Sequence, residues 1–228
     1  MALLFVYGEG GLVTDDEFAD WYINDHGPLR LTVPGFNTAS LYKATDARVP
    51  SWLAYYDLDS PATGTSDAYK ALATKGSDSE KALVPRLQDL NRSLLTHLTT
   101  LTHPDTTSTS LPGAHIVIVS MQLGESQDED AFNAWYNDEH IRDFLAVPGF
   151  LRVRRYKLLS NLQLVGKRET DEPVHTYWAI YDVDRDEFDK TPEFKATTRT
   201  PAAAKILSQI KAFNIRRFAL HTSLPKPE

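Results

Sequence analysis

The chain contains no cysteine, which excludes a disulfide framework, thiolate catalysis and cysteine-bound zinc or iron–sulfur centres. Freedom from disulfides suits a reducing compartment, and a cytoplasmic location is expected. Long apolar runs are also missing. The opening "MALLFVYGEGG" has no basic leader, and its apolar stretch is only strand-length, so neither a signal peptide nor a membrane anchor is expected. Positive charge is scarce: 24 Lys and Arg against 31 Asp and Glu give a net charge of −7. With no long basic run, nucleic acid and anionic membrane are not expected partners. The seven histidines show no HxxxH or HExxH spacing, so no metal site is expected. GxGxxG, P-loop and GxSxG motifs are absent, and "YGEGG" reads as a turn after a strand. No nucleotide, flavin or other cofactor is expected.

What the chain does have is a repeat. "WYINDHGPLRLTVPGF" begins at Trp21 and "WYNDEHIRDFLAVPGF" at Trp135, a separation of 114. His26 and His140, and Tyr42 and Tyr156, keep that same spacing. Between residues 18–44 and 132–158, 11 of 27 aligned positions are identical, which marks a tandem duplication. The 228 residues divide accordingly into a first repeat at 1–101, a Thr/Ser/Pro linker at 102–113 and a second repeat at 114–228.

Both repeats follow one order of elements. "LLFVYG" and "HIVIVSMQLG" are short β-branched runs that end in glycine, as strands do. A helix follows each. Thr14-Asp15-Asp16-Glu17 is a capping box that starts the first, and Gly27-Pro28 is expected to end or kink it. In the second repeat Ser126 or Asp128 can cap, and helix is permitted to about Leu145. Two hairpin-like strands come next: "FNTASLYKA" with "SWLAYYDLD", and "FLRVRRYKLL" with "HTYWAIYDVD". The second hairpin carries 11 extra residues within "SNLQLVGKRETDEP", expected as a surface loop. A second helical region (66–90 and 186–210) and a last strand complete each half. The order is β-α-β-β-α-β, a ferredoxin-like arrangement. Since one such sheet leaves a face bare, the two repeats are expected to build an α+β barrel of the pseudo-two-fold, dimeric type within one chain. A monomer containing this internal dimer, or a further homodimer, follows.

Phe18, Tyr22 and His26 are spaced to share a helical face, as are Phe132, Tyr136 and His140. Trp21, Trp135, Phe18 and Phe132 are expected to be packing. A histidine at this position serves as a satisfied core group, as a partner of the helix dipole, or in catalysis. Asp25 and Glu139 are sequence neighbours of the histidines and point about 100° away on a helix. Tyr22 and Tyr136 are therefore the better local partners, and any orienting carboxylate comes from elsewhere. Pro34-Gly35-Phe36 and Pro148-Gly149-Phe150 read as corners before strands. Tyr42 and Tyr156 have the strand parity of those phenylalanines and are expected to face the same way. Lys43 and Lys157 then point outward, and His97 and His221 read as strand-end surface residues.

"WYINDHGP", "WYNDEHI" and the two "VPGF" corners resemble the W-Y-x-x-E-H-x-P signature of EthD-domain proteins, within the dimeric α+β barrel superfamily. The likeness covers both halves, and the tandem form is similar to fungal EthD-like proteins. The first copy has Asp25 where the signature has glutamate, and the second has Arg142 where it has proline, so the halves are expected to have specialised. The resemblance implies cofactor-free chemistry on a small hydrophobic, aromatic or polyketide-like molecule. The leading expectation is a lyase of decarboxylase, dehydratase or cyclase type, with His26 as general acid or base. Tyr22 would support His26, Tyr42 would position substrate and Arg30 would bind its carboxylate. His140, Tyr136 and Tyr156 are the matching set in the second half. Two alternatives stand beside it: a cofactor-free oxygenase of anthrone-like substrates, and a ligand-binding accessory protein without turnover.

Overall fold

The computed structural model describes residues 1–167 and 174–225. Its elements are β1 (Ala2–Glu9), α1 (Asp15–Trp21), α2 (Gly27–Leu31), β2 (Phe36–Ala44), β3 (Trp52–Leu58), α3 (Asp67–Lys70), α4 (Asp78–Leu83) and β4 (Asp89–Thr102). The chain continues with β5 (His115–Leu123), α5 (Glu129–Trp135), α6 (Ile141–Asp143), β6 (Phe150–Val165), β7 (Tyr177–Val183), α7 (Pro192–Ala196), α8 (Pro201–Leu207) and β8 (Ile210–Pro225). The class is mixed α+β.

Two compact units are present. The first is Met1–His97 with Leu158–Val174 and Leu220–Glu228; the second is Leu98–Lys157 with His175–Ala219. In the first unit the strands run β4-β1-β3-β2, and Val6 lies opposite both Ala54 and Arg92. Leu4, Val6, Leu41, Ala54, Tyr56, Leu90 and Leu94 form one core with Phe18, Trp21 and Tyr22 of the first helical region. Gly8 makes room for it, because a Cβ there would lie 2.8 Å from the Phe18 ring. In the second unit the order is β8-β5-β7-β6, and Val117, Val153, Ala179 and Tyr181 pack with Phe132, Trp135 and Phe144.

Several local expectations change. Gly27-Pro28 does not end the helix. Tyr22–His26 forms a π-helical turn, and α2 continues from Gly27 with Pro28 in its first turn. The second copy behaves alike: Asp128 caps α5, Tyr136–His140 is a π turn, and α6 follows. The second helical regions are broken into short pieces by Gly76, Pro85, Pro192 and Pro201. The expected surface loop is in part strand. β6 runs on to Val165, and Asn161 and Gln163 bond to Asn91, Leu90 and Asp89 of β4; residues 168–173 lie outside those described.

Each Pro-Gly-Phe corner is built alike, Phe36 N–H bonding to Val33 O at 3.1 Å and Phe150 N–H to Val147 O at 3.1 Å. Gly35 and Gly149 stand at φ +88° and +89°, and a Cβ would lie 2.8 Å from Thr63 Oγ1 or 2.5 Å from Asp184 Oδ1. Gly35→Ala and Gly149→Ala should each cost about 1–3 kcal/mol, read as a fall in the urea midpoint at unchanged slope. Losses under ~0.5 kcal/mol, the surface-substitution range, would mean that the corners relax freely.

Candidate functional site

A β-bulge decides which tyrosines reach the site. Register shifts between Phe36 and Thr38, and again between Phe150 and Arg152. An extra residue reverses side-chain parity downstream. Tyr42 and Tyr156 therefore turn away from the face that Phe36 and Phe150 occupy, contrary to the alternation expected. The Tyr42 hydroxyl lies 3.1 Å from that of Tyr55 on the sheet's other face. Lys43 is not a free surface cation, since it pairs with Asp15 and lies 4.2 Å over the Trp52 ring; Lys157 pairs with Glu129 at 2.6 Å. His221 packs edge-on against Trp52 at 5.3 Å.

His26 closes the π turn after Tyr22, with its ring 4.3 Å from that of Trp21. Its Nδ1 lies 2.7 Å from Oε1 of Glu80, a residue of α4 that the sequence reading missed. Arg30, one turn on, donates from Nη1 to the same Glu80 oxygen and to His26 O, both at 3.3 Å. Asp25 is engaged elsewhere, accepting from Ser77 Oγ. Tyr22, expected to partner His26, does not bond to it: the rings are 6.2 Å apart. Burial, and then the neighbouring Tyr56 hydroxyl, push Tyr22 well up, yet no hydrogen bond of ordinary geometry joins the two.

The electrostatics follow from burial. Desolvation, then the Arg30 charge, pull His26 down to about 4, against the Glu80 contacts that favour protonation. Burial raises the Glu80 carboxyl, but the hydrogen bonds from His26 and Arg30 and the Arg30 charge outweigh it and leave it below the usual value. With Glu80 ionised and acceptor-only, chemistry assigns the imidazole proton to Nδ1, and Nε2 keeps a lone pair. Gly76 is needed for this arrangement, because a Cβ there would lie 2.8 Å from Glu80 Oε2.

His26, Arg30, Glu80 and Tyr56 line a cavity of about 220 Å³, with Leu4, Val6, Val84 and Leu90 as its apolar wall. Tyr69 and Arg92 add polar groups, and Leu164 and Val165 from the extended β6 complete it. Of the residues singled out from sequence, the cavity brings together His26 and Arg30. Tyr22 is core beside it, and Tyr42 faces away. His140, Tyr136 and Tyr156 belong to the second repeat and do not line it.

In the second repeat His140 is packed rather than poised. It stacks on Trp135 at 4.6 Å and meets Phe144 edge-on at 5.3 Å. Its Nδ1 lies 3.2 Å from Thr197 O, a carbonyl in place of a carboxylate. Burial pulls it down to about 4 as well. Tyr136 bonds to the Tyr181 hydroxyl at 2.8 Å, and the buried Arg155 lies 4.0 Å over its ring. Arg155 occupies the position of Leu41 in the first repeat. Among the described residues no group of three or more His, Asp or Glu could hold a metal ion, and no helix is long and apolar enough to cross a membrane.

No family model matches the chain, and no curated protein matches its sequence. Solved structures do. An anthrone oxidase-like protein superimposes with a TM-score of 0.65 at 12% identity, over 100% of this chain and 93% of its own. A monooxygenase candidate from Fusobacterium nucleatum subsp. nucleatum gives 0.57 at 12% identity, over 99% and 94%. A chlorite dismutase candidate gives 0.56 at 16% identity, over 97% and 95%. The neighbours are of the dimeric α+β barrel type, and at these identities the likeness establishes the fold alone.

Two histidines held near 4 have a consequence for stability. An unfolded histidine binds its proton near 6.5, so between about pH 6.5 and 4 the unfolded chain carries more protons. Stability is complete above that window and is lost as pH falls through it, by up to ~1.4 kcal/mol per pH unit for each histidine. The lowered Glu80 acts in the same direction below its unfolded value. Urea unfolding at pH 7, 6 and 5 should show the decline, and His140→Leu should remove about one proton's share of the slope. A profile flat to pH 5 would contradict the burial argument.

Proposed function

We propose that this chain is a cofactor-independent oxygenase of a small aromatic substrate with an acidic C–H, of the anthrone-like kind. The observation that carries the reading is the neutral His26, backed at 2.7 Å by Glu80, on the wall of a largely apolar cavity. A neutral imidazole with a carboxylate behind it is a general base, and the carboxylate stabilises the imidazolium that forms. Apolar walls favour spreading the substrate's charge over an aromatic system. Nε2 takes a proton from the activated methylene, leaving a delocalised carbanion. Dioxygen adds to that carbon and, with the proton returned, gives a hydroperoxide. Loss of water then leaves a ketone. The balance is one methylene and one dioxygen in, one carbonyl and one water out, and nothing else is consumed.

The same base could serve the lyase chemistry expected first. The descriptions of two neighbours, anthrone oxidase-like and monooxygenase candidate, weigh toward the oxygenase, although one fold hosts many chemistries. We read the two β-α-β-β-α-β orders as a ferredoxin-like unit duplicated in tandem, as in EthD-like proteins. The His26 copy is the working one, and the His140 copy is kept for packing. A small substrate is implied, because about 220 Å³ falls below the ~300–1,000 Å³ of drug-sized clefts.

The test is oxygen consumption with an anthrone in air. His26→Ala should lower turnover per folded molecule by about 10²–10⁴-fold, and Glu80→Gln should lower it less. His140→Ala should leave turnover within about twofold. As the base works unprotonated, kcat/KM should stay level from neutral pH downward and fall only near pH 4, not 6.5. Product release without oxygen uptake would replace this reading with the lyase, and full turnover in His26→Ala would remove the base altogether.

A further inference from the structure

We propose that the His26 cavity selects a substrate bearing a carboxylate, and that Arg92 is the residue that selects it. This rests on the reading of that cavity as the substrate site and adds the chemical class of what it binds.

The inference starts from a charge in an unexpected place. Arg92 lies on β4 opposite Val6 and is itself half-buried, between two buried residues of its face, Leu90 and Leu94, only 7% and 6% exposed. A half-buried cation on so apolar a face is partly desolvated and gains from a partner of opposite charge. The compensation in hand is slight. Nη1 of Arg92 donates to the Tyr69 hydroxyl at 2.9 Å, and its guanidinium sits 5.4 Å from that ring. Both contacts are to a neutral group. Among the described lining residues the one carboxylate, Glu80, is already bonded to His26 and Arg30.

Among the described residues, two guanidiniums and one carboxylate, with His26 neutral, give the lining a net charge of about +1. Donors also outnumber acceptors. Tyr56 lines the same cavity, and its buried hydroxyl makes no hydrogen bond of ordinary geometry. A site with surplus N–H and O–H donors and an excess positive charge is complementary to an anion with several lone pairs. A planar carboxylate matches the guanidinium fork. The rest of the lining, Leu4, Val6, Val84 and Leu90, calls for an apolar body attached to it. The substrate class is thus a small aromatic acid, held by Arg92 at its carboxylate and presented to His26 by its ring.

Binding tests this without any turnover. Calorimetric titrations at pH 7 would compare 2-naphthoate with its neutral isostere 2-naphthamide on the wild type, Arg92→Gln and Arg92→Lys. The wild type should prefer the acid by about 10-fold or more, the range of a charge-assisted hydrogen bond. Arg92→Gln should abolish most of that preference, and Arg92→Lys should retain part of it. If Arg92→Gln does not fold, a weakened preference in Arg92→Lys supports the assignment and an undiminished one overturns it. Equal affinities for acid and amide, binding of neither, or a preference that survives Arg92→Gln would also overturn it. The two readings fail separately: an acid preference without oxygen uptake faults only the oxygenase, and turnover of neutral anthrones without an acid preference faults only this inference.

Discussion

The hydrogen bond from His26 Nδ1 to Glu80 Oε1, at 2.7 Å, fixes more of the site than any other contact. It joins the end of a π turn to α4, residues 54 apart in sequence, and so sets the wall of the cavity. It determines the tautomer, because an ionised carboxylate can only accept. It also holds Glu80 where Arg30 can share the same oxygen at 3.3 Å, which keeps the buried carboxylate from being left with an unpaired charge. The π turn is part of the same arrangement. Its wider backbone ring lets the Gly27 N–H reach Tyr22 O and carries the imidazole to the helix end, and such turns often mark functional positions.

The two repeated segments share one pattern, yet 16 of their 27 aligned positions differ. The second retains the aromatics, the π turn and the corner, but its histidine bonds to Thr197 O and α4's glutamate has no counterpart in that bond. Arg155 replaces Leu41, and it is tied to Asn133 and Asn137, where the first repeat has Ala19 and Ile23. Arg155 and His140 are thus bonded within the second copy, whereas His26, Arg30 and Glu80 face a cavity in the first. The insertion in the second repeat also serves that cavity, since β6 carries Leu164 and Val165 into its lining.

Much of this could be read from the chain. Thr14 and Glu17 form the capping box that their spacing announces, and the repeated histidine singled out His26, which lines the cavity together with Arg30, expected as a carboxylate binder. Glu80 was hidden because Ser77-x-x-Glu80 has the spacing of a capping box. Ser77 does cap α4, but the glutamate turns instead to His26. Tyr42 and Tyr156 were placed on the wrong face because a one-residue bulge is invisible to a parity count. Arg92 left a signal that went unused: in Leu90-x-Arg92-x-Leu94 a charge interrupts an apolar alternation. The same alternation of Leu162 and Leu164 with Asn161 and Gln163 marked a strand where polar composition suggested a loop.

The state of the His26 ring is the claim on which the chemistry depends. Nitrogen-15 imidazole shifts, followed from pH 8 to pH 3 with His26→Ala for assignment, report it directly. The account predicts a neutral ring at pH 7 with a protonated Nδ1 and a bare Nε2, titrating near 4. A ring protonated on both nitrogens at pH 7, or one with its proton on Nε2, would contradict it.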